Sequence, residues 1–403
     1  MIRTCFGRFL LAGALASVVM AVLPAASFGI VAYEVPSGVD GNQDYGGTLG
    51  MSFDVLQPII IRELGVFDDD SNGLTSNLNA QVWNRATQTS LGLLNFTPGS
   101  PGTLVGGNRF KTLATPLVLP AGFQGLVSAG GFNSSDENGN QGFGSLGATT
   151  NSGGGLISFV NGNRYQNNGA DPLSFPDGAD GGPINRYLAG TFSFELANIS
   201  HQVSAGATGT QGNFGGSVGM DFQSNASVEI SHLGVFDSGG DGIAGTLTAQ
   251  LWIRNENGTP GNFGDDTGTL AAQITFTGTE GELLGGSRFK AIDKSNFLNG
   301  FNGILGQGTN ASIVVFGFNA LDPLGNVGAF TGTKTTFDGF GALTFEGTSR
   351  FGTAGLFPNT PDGGPANRYA AGTFRFNVIP EPASATLLLA GIAGLAVRRR
   401  RNA

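Results

Sequence analysis

Leu64-Gly65-Val66-Phe67-Asp68 recurs as Leu233-Gly234-Val235-Phe236-Asp237, a shift of 169 residues (233 − 64). A tryptophan follows each copy at the same shift, Trp83 and then Trp252, and the chain has no other tryptophan. Upstream, Gly46 to Phe53 matches Gly215 to Phe222. Downstream, Gly106-Gly107-Asn108-Arg109-Phe110-Lys111 matches Gly285-Gly286-Ser287-Arg288-Phe289-Lys290, and Asp180 to Tyr187 matches Asp362 to Tyr369. The offset grows to 179 (285 − 106) and then to 182 (362 − 180), and it changes across Gly-, Asn- and Asp-rich segments such as residues 255–268. Loops accept insertions and strands do not, so the drift marks which pieces are strands.

The matched pieces read as β-structure. Ile59-Ile60-Ile61 and the Leu64 to Phe67 stretch carry the branched and aromatic residues that suit strands. Residues 79–85 alternate, with Ala80, Val82 and Asn84 on one face and Gln81, Trp83 and Arg85 on the other. Residues 248–254 keep that parity. No helix-length window inside either copy has apolar residues at helical spacing. The expected fold is all-β: two tandem antiparallel β-sandwich domains, jelly-roll-like, of about seven to nine short strands each. They are placed at residues 44–197 and 213–378, with residues 30–43 as a lead-in. Residues 198–212, rich in Ser, Gly, Thr and Ala, read as a flexible linker.

Composition narrows the function. Hydrophobic content of 40% allows real cores, and 69 glycines without a triplet period exclude collagen and favour turn-rich strands. The formal charge is −9, and trimming the ends would remove Arg3, Arg8 and Arg398 to Arg401 as well. So acidic a body is repelled by phosphate backbones, so no nucleic-acid partner is expected. The single cysteine, Cys5, precedes an apolar run, and the body of the chain therefore has no disulfide.

Both ends break the strand pattern. Residues 1–28 read as a secretory signal peptide with a positive start (Arg3, Arg8), an apolar stretch from Phe9 to Leu23, and Ala25-Ala26-Ser27 for signal peptidase. Residues 379–403 contain Pro380-Glu381-Pro382, an apolar helix-forming run from Ala383 to Val397, and Arg398-Arg399-Arg400-Arg401. As a helix that run is about 22 Å long, short of the roughly 30 Å hydrocarbon core. It suits transient insertion with the arginines kept in the cytoplasm.

This order of features resembles the PEP-CTERM sorting signal of exosortase substrates. The resemblance implies cleavage near Pro380-Glu381-Pro382 by an exosortase, after transient inner-membrane anchoring, and delivery to the cell surface or extracellular matrix. The same tail pattern is also described as an ice-binding protein C-terminal domain, which names a tail and implies no ice binding. The repeats resemble uncharacterised bacterial β-sandwich modules with a Leu-Gly-Val-Phe-Asp strand followed by a tryptophan strand, a likeness that implies fold rather than function.

Candidate sites follow from side-chain chemistry. Asp68, Asp70, Asn72 and Gly73 stand at positions 1, 3, 5 and 6 of an EF-hand-like loop, and Asp237 and Asp241 repeat part of it. Calcium is the cofactor this spacing suggests. The competing reading is a polar turn between strands, and Asn79 stands where the bidentate Glu would be. Asp180 and Asp362 open a shared Asp-Gly-Gly-Pro turn that reads as structural, each with an Arg six residues on. Trp83 and Trp252 read as packed residues rather than sugar platforms. His232 faces Glu63 in the other copy, so no histidine is shared, and no nucleophile elbow or His/Cys metal cluster appears. No catalytic residue is therefore assigned. The expected function is a non-enzymatic exported surface or matrix protein, associated with exopolysaccharide or cell-surface glycans. The alternative is a secreted carbohydrate-binding or glycoside-hydrolysing protein with a carboxylate pair.

Overall fold

The computed structural model describes residues 29–167, 171–212 and 214–380. The expected signal segment, the helices expected at the two ends, Glu381, Pro382 and Arg398 to Arg401 lie outside the described residues, and Pro380 is the last one inside. Among the described residues no helix is long and apolar enough to cross a membrane.

In the first half, a five-stranded sheet runs in the order Ile30–Val31, Gly190–Leu196, Ile59–Phe67, Asn108–Leu119 and Thr103–Val105. A six-stranded sheet runs Gly178–Asp180, Ile157–Tyr165, Thr48–Val55, Gln124–Gly130, Leu78–Asn84 and Thr89–Phe96. The second half repeats the longer sheet in the matching order: Thr360–Asp362, Leu343–Gly352, Ser217–Ser224, Asn310–Phe316, Ile243–Asn255 and Thr267–Gly278. Its other sheet centres on Val228–Phe236, which pairs with Ser287–Ala291 on one side and Gly372–Val378 on the other. The pairings are antiparallel throughout these sheets. The all-β expectation therefore holds, in the β-sandwich class.

The repeated pentapeptide lies at the centre of each five-stranded sheet. Gly65 is paired with Thr191 on one side and Phe110 on the other. A Cβ there would stand 2.8 Å from Thr191 Cγ2 and 2.9 Å from the Phe110 ring; at Gly234 it would stand 2.8 Å from both Phe289 and Thr373. Only glycine lets both neighbours close over the strand. Leu64 and Val66 point the other way, into the core. There the two sheets meet through Phe53 and Phe192, ring centroids 4.9 Å apart, and in the second half through Phe222 and Phe374 at 4.7 Å. Each such buried ring contributes about 1.5–3 kcal/mol.

Two expected boundaries are corrected. Residues 198–212 are not a free linker: His201–Val203 forms a strand with Lys334–Thr336. Residues 30–43 are its counterpart and not a lead-in. The Thr191 hydroxyl accepts from the Tyr33 N–H and donates to the Tyr33 carbonyl, both at 3.1 Å. Thr373 does the same for His201 at 3.2 and 2.9 Å. The Val35 and Val203 carbonyls accept from Gly107 and Gly286, each at 2.8 Å. Small polar residues looked like linker composition, yet their backbone groups find partners in the sheet edge and in a threonine side chain.

The halves are joined by an apolar cluster of Ile60, Ala197, Ile199, Leu284 and Phe289. Beside it Arg62 bonds Glu195 at 2.9 Å and also Glu282, while Arg375 approaches the same two carboxylates at 3.6 and 3.8 Å.

Candidate functional site

The calcium-like loop is built differently from its spacing. Asp68 is fully buried; it accepts from Arg109 Nε at 2.6 Å and from the Gly73 N–H at 3.1 Å. Asp237 is equally buried and accepts from Arg288 Nε at 2.6 Å and the Gly242 N–H at 3.2 Å. Burial pushes the Asp237 carboxyl up, and Arg288 works against that. Both aspartates thus hold their own turn to the arginine of the Gly-Gly-x-Arg-Phe strand, and the reading of Asp68 and Asp237 as open calcium ligands is corrected. Asn72, Asp70 and Asp241 are exposed. Asp70 comes together with Asp40 and Asp69, whose ligand oxygens lie within 4.8 Å of one another. A hydrogen bond with Asp40 holds the Asp70 carboxyl above its ordinary range. Asp69 accepts from the Gly41 N–H at 2.5 Å and the Glu137 N–H at 3.1 Å. Asp69 and Asp70 of the loop, with Asp40 from the 30–43 segment, are the carboxylates here that could hold a hard cation.

The Asp-Gly-Gly-Pro turns are braces. Arg186 bonds Asp180 at 2.8 Å and Asn140 at 2.9 Å; Arg368 bonds Asp362 at 2.8 Å and Asn326 at 3.1 Å. Tyr187 and Tyr369 donate their hydroxyls to the same aspartates. Burial, then that bond, pushes both phenols well up.

The outer face of each six-stranded sheet carries a constellation that the sequence reading only half collected. Gln81, Trp83 and Arg85 share that face, as the alternation predicts. Gln81 and Trp83 are buried beneath a strap, in which Phe175 meets Trp83 edge-on at 5.6 Å. Arg164, across the sheet, stands 5.7 Å from the Phe175 ring. Arg85 bonds Asp54 at 2.5 Å. The second half repeats the set: Trp252 lies 5.7 Å from Phe357, and Arg350 lies 5.4 Å from that ring. There, however, the arginines are enclosed by acids. Arg350 Nε donates to Asp221 at 2.6 Å, and its Nη2 meets Asp266, which Arg254 also reaches at 3.0 Å. Arg254 further bonds Glu346. Burial raises the Asp221 and Glu346 carboxyls, opposed by Arg350 and Arg254 respectively. The signal that would have found Phe175 and Phe357 is the Phe-Pro dipeptide, Phe175-Pro176 and Phe357-Pro358, at the same 182 shift (357 − 175) as the closing turn; Arg164 and Arg350 recur at a shift of 186 (350 − 164).

The histidines are not poised together. His201 is fully buried, its two ring nitrogens have no hydrogen-bond partner among the described residues, and desolvation holds it well below its ordinary pKa. The Lys334 ammonium nearby, which contributes to that shift, is itself pushed down to about 7 by burial. His232 is half-buried against Ser231 at 3.0 Å.

No family model matches the chain. It is 28% identical over 149 residues to UDP-GalNAc:beta-1,3-N-acetylgalactosaminyltransferase 2 of Xenopus laevis, covering 37% of this chain and 28% of that protein. The Mus musculus protein of the same name is 30% identical over 134 residues, covering 33% of this chain and 25% of that one. The chain thus spans little more than a quarter of the length of the curated relatives it matches. Among solved structures, the infectious bursal disease virus VP2 subviral particle is 11% identical over 94% of this chain and 91% of that one, with a TM-score of 0.16. The virus Gx strain structure gives 11%, 90% of this chain, 85% of that one and 0.15. Scores of that size establish no shared fold.

Proposed function

We propose that the protein is a non-enzymatic, exported cell-surface or extracellular-matrix component. It consists of two tandem jelly-roll-like β-sandwich modules, secreted through the signal segment and processed by an exosortase at Pro380-Glu381-Pro382. Its modules contact exopolysaccharide or cell-surface glycans, and two modules on one chain raise the effective affinity for a polymer. The observation that carries the reading is how the shared carboxylates are used. Asp68, Asp237, Asp180 and Asp362 each face an arginine at 2.6–2.8 Å, as braces of a rigid display scaffold. Rigid sheets that hold exposed loops and a strap apart suit contact rather than turnover.

Intact-mass spectrometry of the exported protein tests this. The expected material begins near residue 29 and ends near Pro380; retention of Arg398 to Arg401 in the mature form overturns the sorting step. A second reading, a secreted carbohydrate-binding or glycoside-hydrolysing protein, is favoured by the aromatic and arginine constellation on the outer sheet face. Release of reducing ends from acidic or neutral glycans by the purified protein would replace the first reading with the hydrolytic one.

A further inference from the structure

The two copies serve as each other's control on the outer sheet face. In the second half the guanidinium groups of Arg254 and Arg350 converge on carboxylates that the chain itself supplies. Asp221 comes from the central strand, Asp266 from the long turn after Arg254, and Glu346 from the strand of Arg350. The matched positions of the first half lack all three. Ser52 stands where Asp221 does (221 − 52 = 169), and Val160 where Glu346 does (346 − 160 = 186). The turn after Arg85 closes at once, pairing Asn84 with Thr89, so there is no loop to deliver an Asp266. The arginines are kept nonetheless. Arg164 opposes Gly50 across the strand pair, as Arg350 opposes Gly219.

What remains is Arg85 held by Asp54 alone, and a half-buried Arg164 whose Nη1 reaches the Asp177 carbonyl at 3.5 Å. The Arg85 side chain is 9% exposed and its Nη1 is buried with no hydrogen-bond partner among the described residues. Arg164 Nε and Ser52 Oγ are in the same condition. Asp54 is the acid that Arg85 holds. Buried guanidinium donors without acceptors are unfavourable, and a carboxylate is the acceptor whose geometry matches the fork of an arginine. The rim adds apolar surface: Phe175 is half-buried and Leu173 exposed, and both ride on a strap tied down where Gln81 Nε2 donates to the Leu173 carbonyl at 3.3 Å. An aromatic wall at Phe175 beside Arg164, with Arg85 further along the same face, fits the C–H face and the carboxylate of one sugar ring.

We propose that the outer face of the first half's six-stranded sheet, between Arg85 and Arg164 and beneath Phe175, binds the carboxylate of a uronic acid in an acidic glycan. The second half is the self-filled copy of that site. This rests on the glycan-contact reading for the source of the ligand, while the seat itself is tested by small carboxylates.

The full exported chain is titrated calorimetrically with a uronate oligosaccharide, glucuronate, acetate and glucose. Saturable binding is expected for the oligosaccharide and glucuronate, weaker binding for acetate and none for glucose. Ser52→Asp, which installs the second half's own carboxylate, is expected to weaken glucuronate binding at least tenfold while leaving the melting temperature unchanged or higher. Phe175→Ala at the rim should weaken the oligosaccharide more than acetate, and it tests the site even if Ser52→Asp fails to fold. Absence of saturable binding by every carboxylate, or an unchanged affinity in Ser52→Asp, overturns the site. Acetate binding as tightly as glucuronate keeps the seat but overturns the sugar assignment. Neither result bears on where the exported chain is cut, so the site and the display reading can fail separately.

Discussion

Replacing Lys334 by methionine is expected to stabilise the protein at neutral pH and to remove a rise of stability with pH. The Lys334 side chain is half-buried, with its ammonium beside Met220 Sδ at 3.2 Å and donating to the Asn367 carbonyl at 2.5 Å. Among the described residues no carboxylate lies within ion-pair distance of it. Burial therefore lowers its pKa from the ordinary 10.5 to about 7. That gap of 3.5 (10.5 − 7), at about 1.36 kcal/mol per pKa unit, corresponds to about 5 kcal/mol between the two protonation states. The folded pKa is depressed, so between pH 7 and 10.5 the unfolded chain holds the extra proton. Stability then rises with pH across that window, and below its lower edge the full cost is present. Methionine gives up the bond to the Asn367 carbonyl, about 1–3 kcal/mol, leaving a net gain of about 2–4 kcal/mol at pH 7. His201, held neutral chiefly by burial and in part by Lys334, adds a loss of stability below its ordinary pKa of 6.5, of which the variant keeps the part due to burial. Urea unfolding followed by tryptophan fluorescence at several pH values between 6 and 10 reads the difference between the two proteins. Parallel pH dependences, or a Lys334→Met protein less stable at pH 7, would refute the reasoning.

Asp237→Ala leaves Arg288 buried without its carboxylate and is expected to cost about 3–5 kcal/mol, read as a lower urea midpoint, while Asp237→Ala with Arg288→Met recovers most of it. Gly65→Val forces side-chain atoms into Thr191 and Phe110 and is expected to lower stability by at least about 1–3 kcal/mol. Gly38→Ala, at a positive φ with open space around it, should cost about 1–2 kcal/mol from backbone strain alone, which separates strain from crowding in the same melting experiment. Phe192→Ala removes one ring of the pair that joins the two sheets and should cost about 3–5 kcal/mol; a cost below 1 kcal/mol would mean that the ring carries little of the core.

Much of this architecture was legible because strands leave a local trace. The alternation over residues 79–85 correctly separated Ala80 and Val82, which face the core, from Gln81, Trp83 and Arg85, which do not. The short edge strands left no such trace. Tyr33–Glu34 and His201–Val203 span two and three residues, too few for a period, and their position is set by Thr191 and Thr373 far along the chain. Composition alone then made one of them a linker. The Asp68 loop failed for a related reason. Its spacing is that of a ligand loop, but the partner that decides its role, Arg109, is 41 residues away. The trace existed all the same, since Asp68 with Arg109 and Asp237 with Arg288 recur as pairs in both copies.

Duplication turns this into a rule of reading for the present chain. Where both copies keep an acid and an arginine together, the pair closes on itself and holds a turn, as at Asp180 with Arg186 and Asp362 with Arg368. Where both copies keep the arginine and one loses the acid, folding no longer explains the arginine, because burying it without a partner opposes folding. Arg85, which keeps Asp54 but has a buried Nη1 with no acceptor among the described residues, and Arg164, whose Nε is in the same condition, lean toward that second class. The long turn after Arg254 looked in the sequence like an ordinary tolerated insertion, yet it carries Phe263 and Asp266 over both arginines of its half. The same turn is short in the first half, which leaves the matching place free of a carboxylate from the chain. A loop difference between copies is thus a difference in what each sheet face can accept from outside.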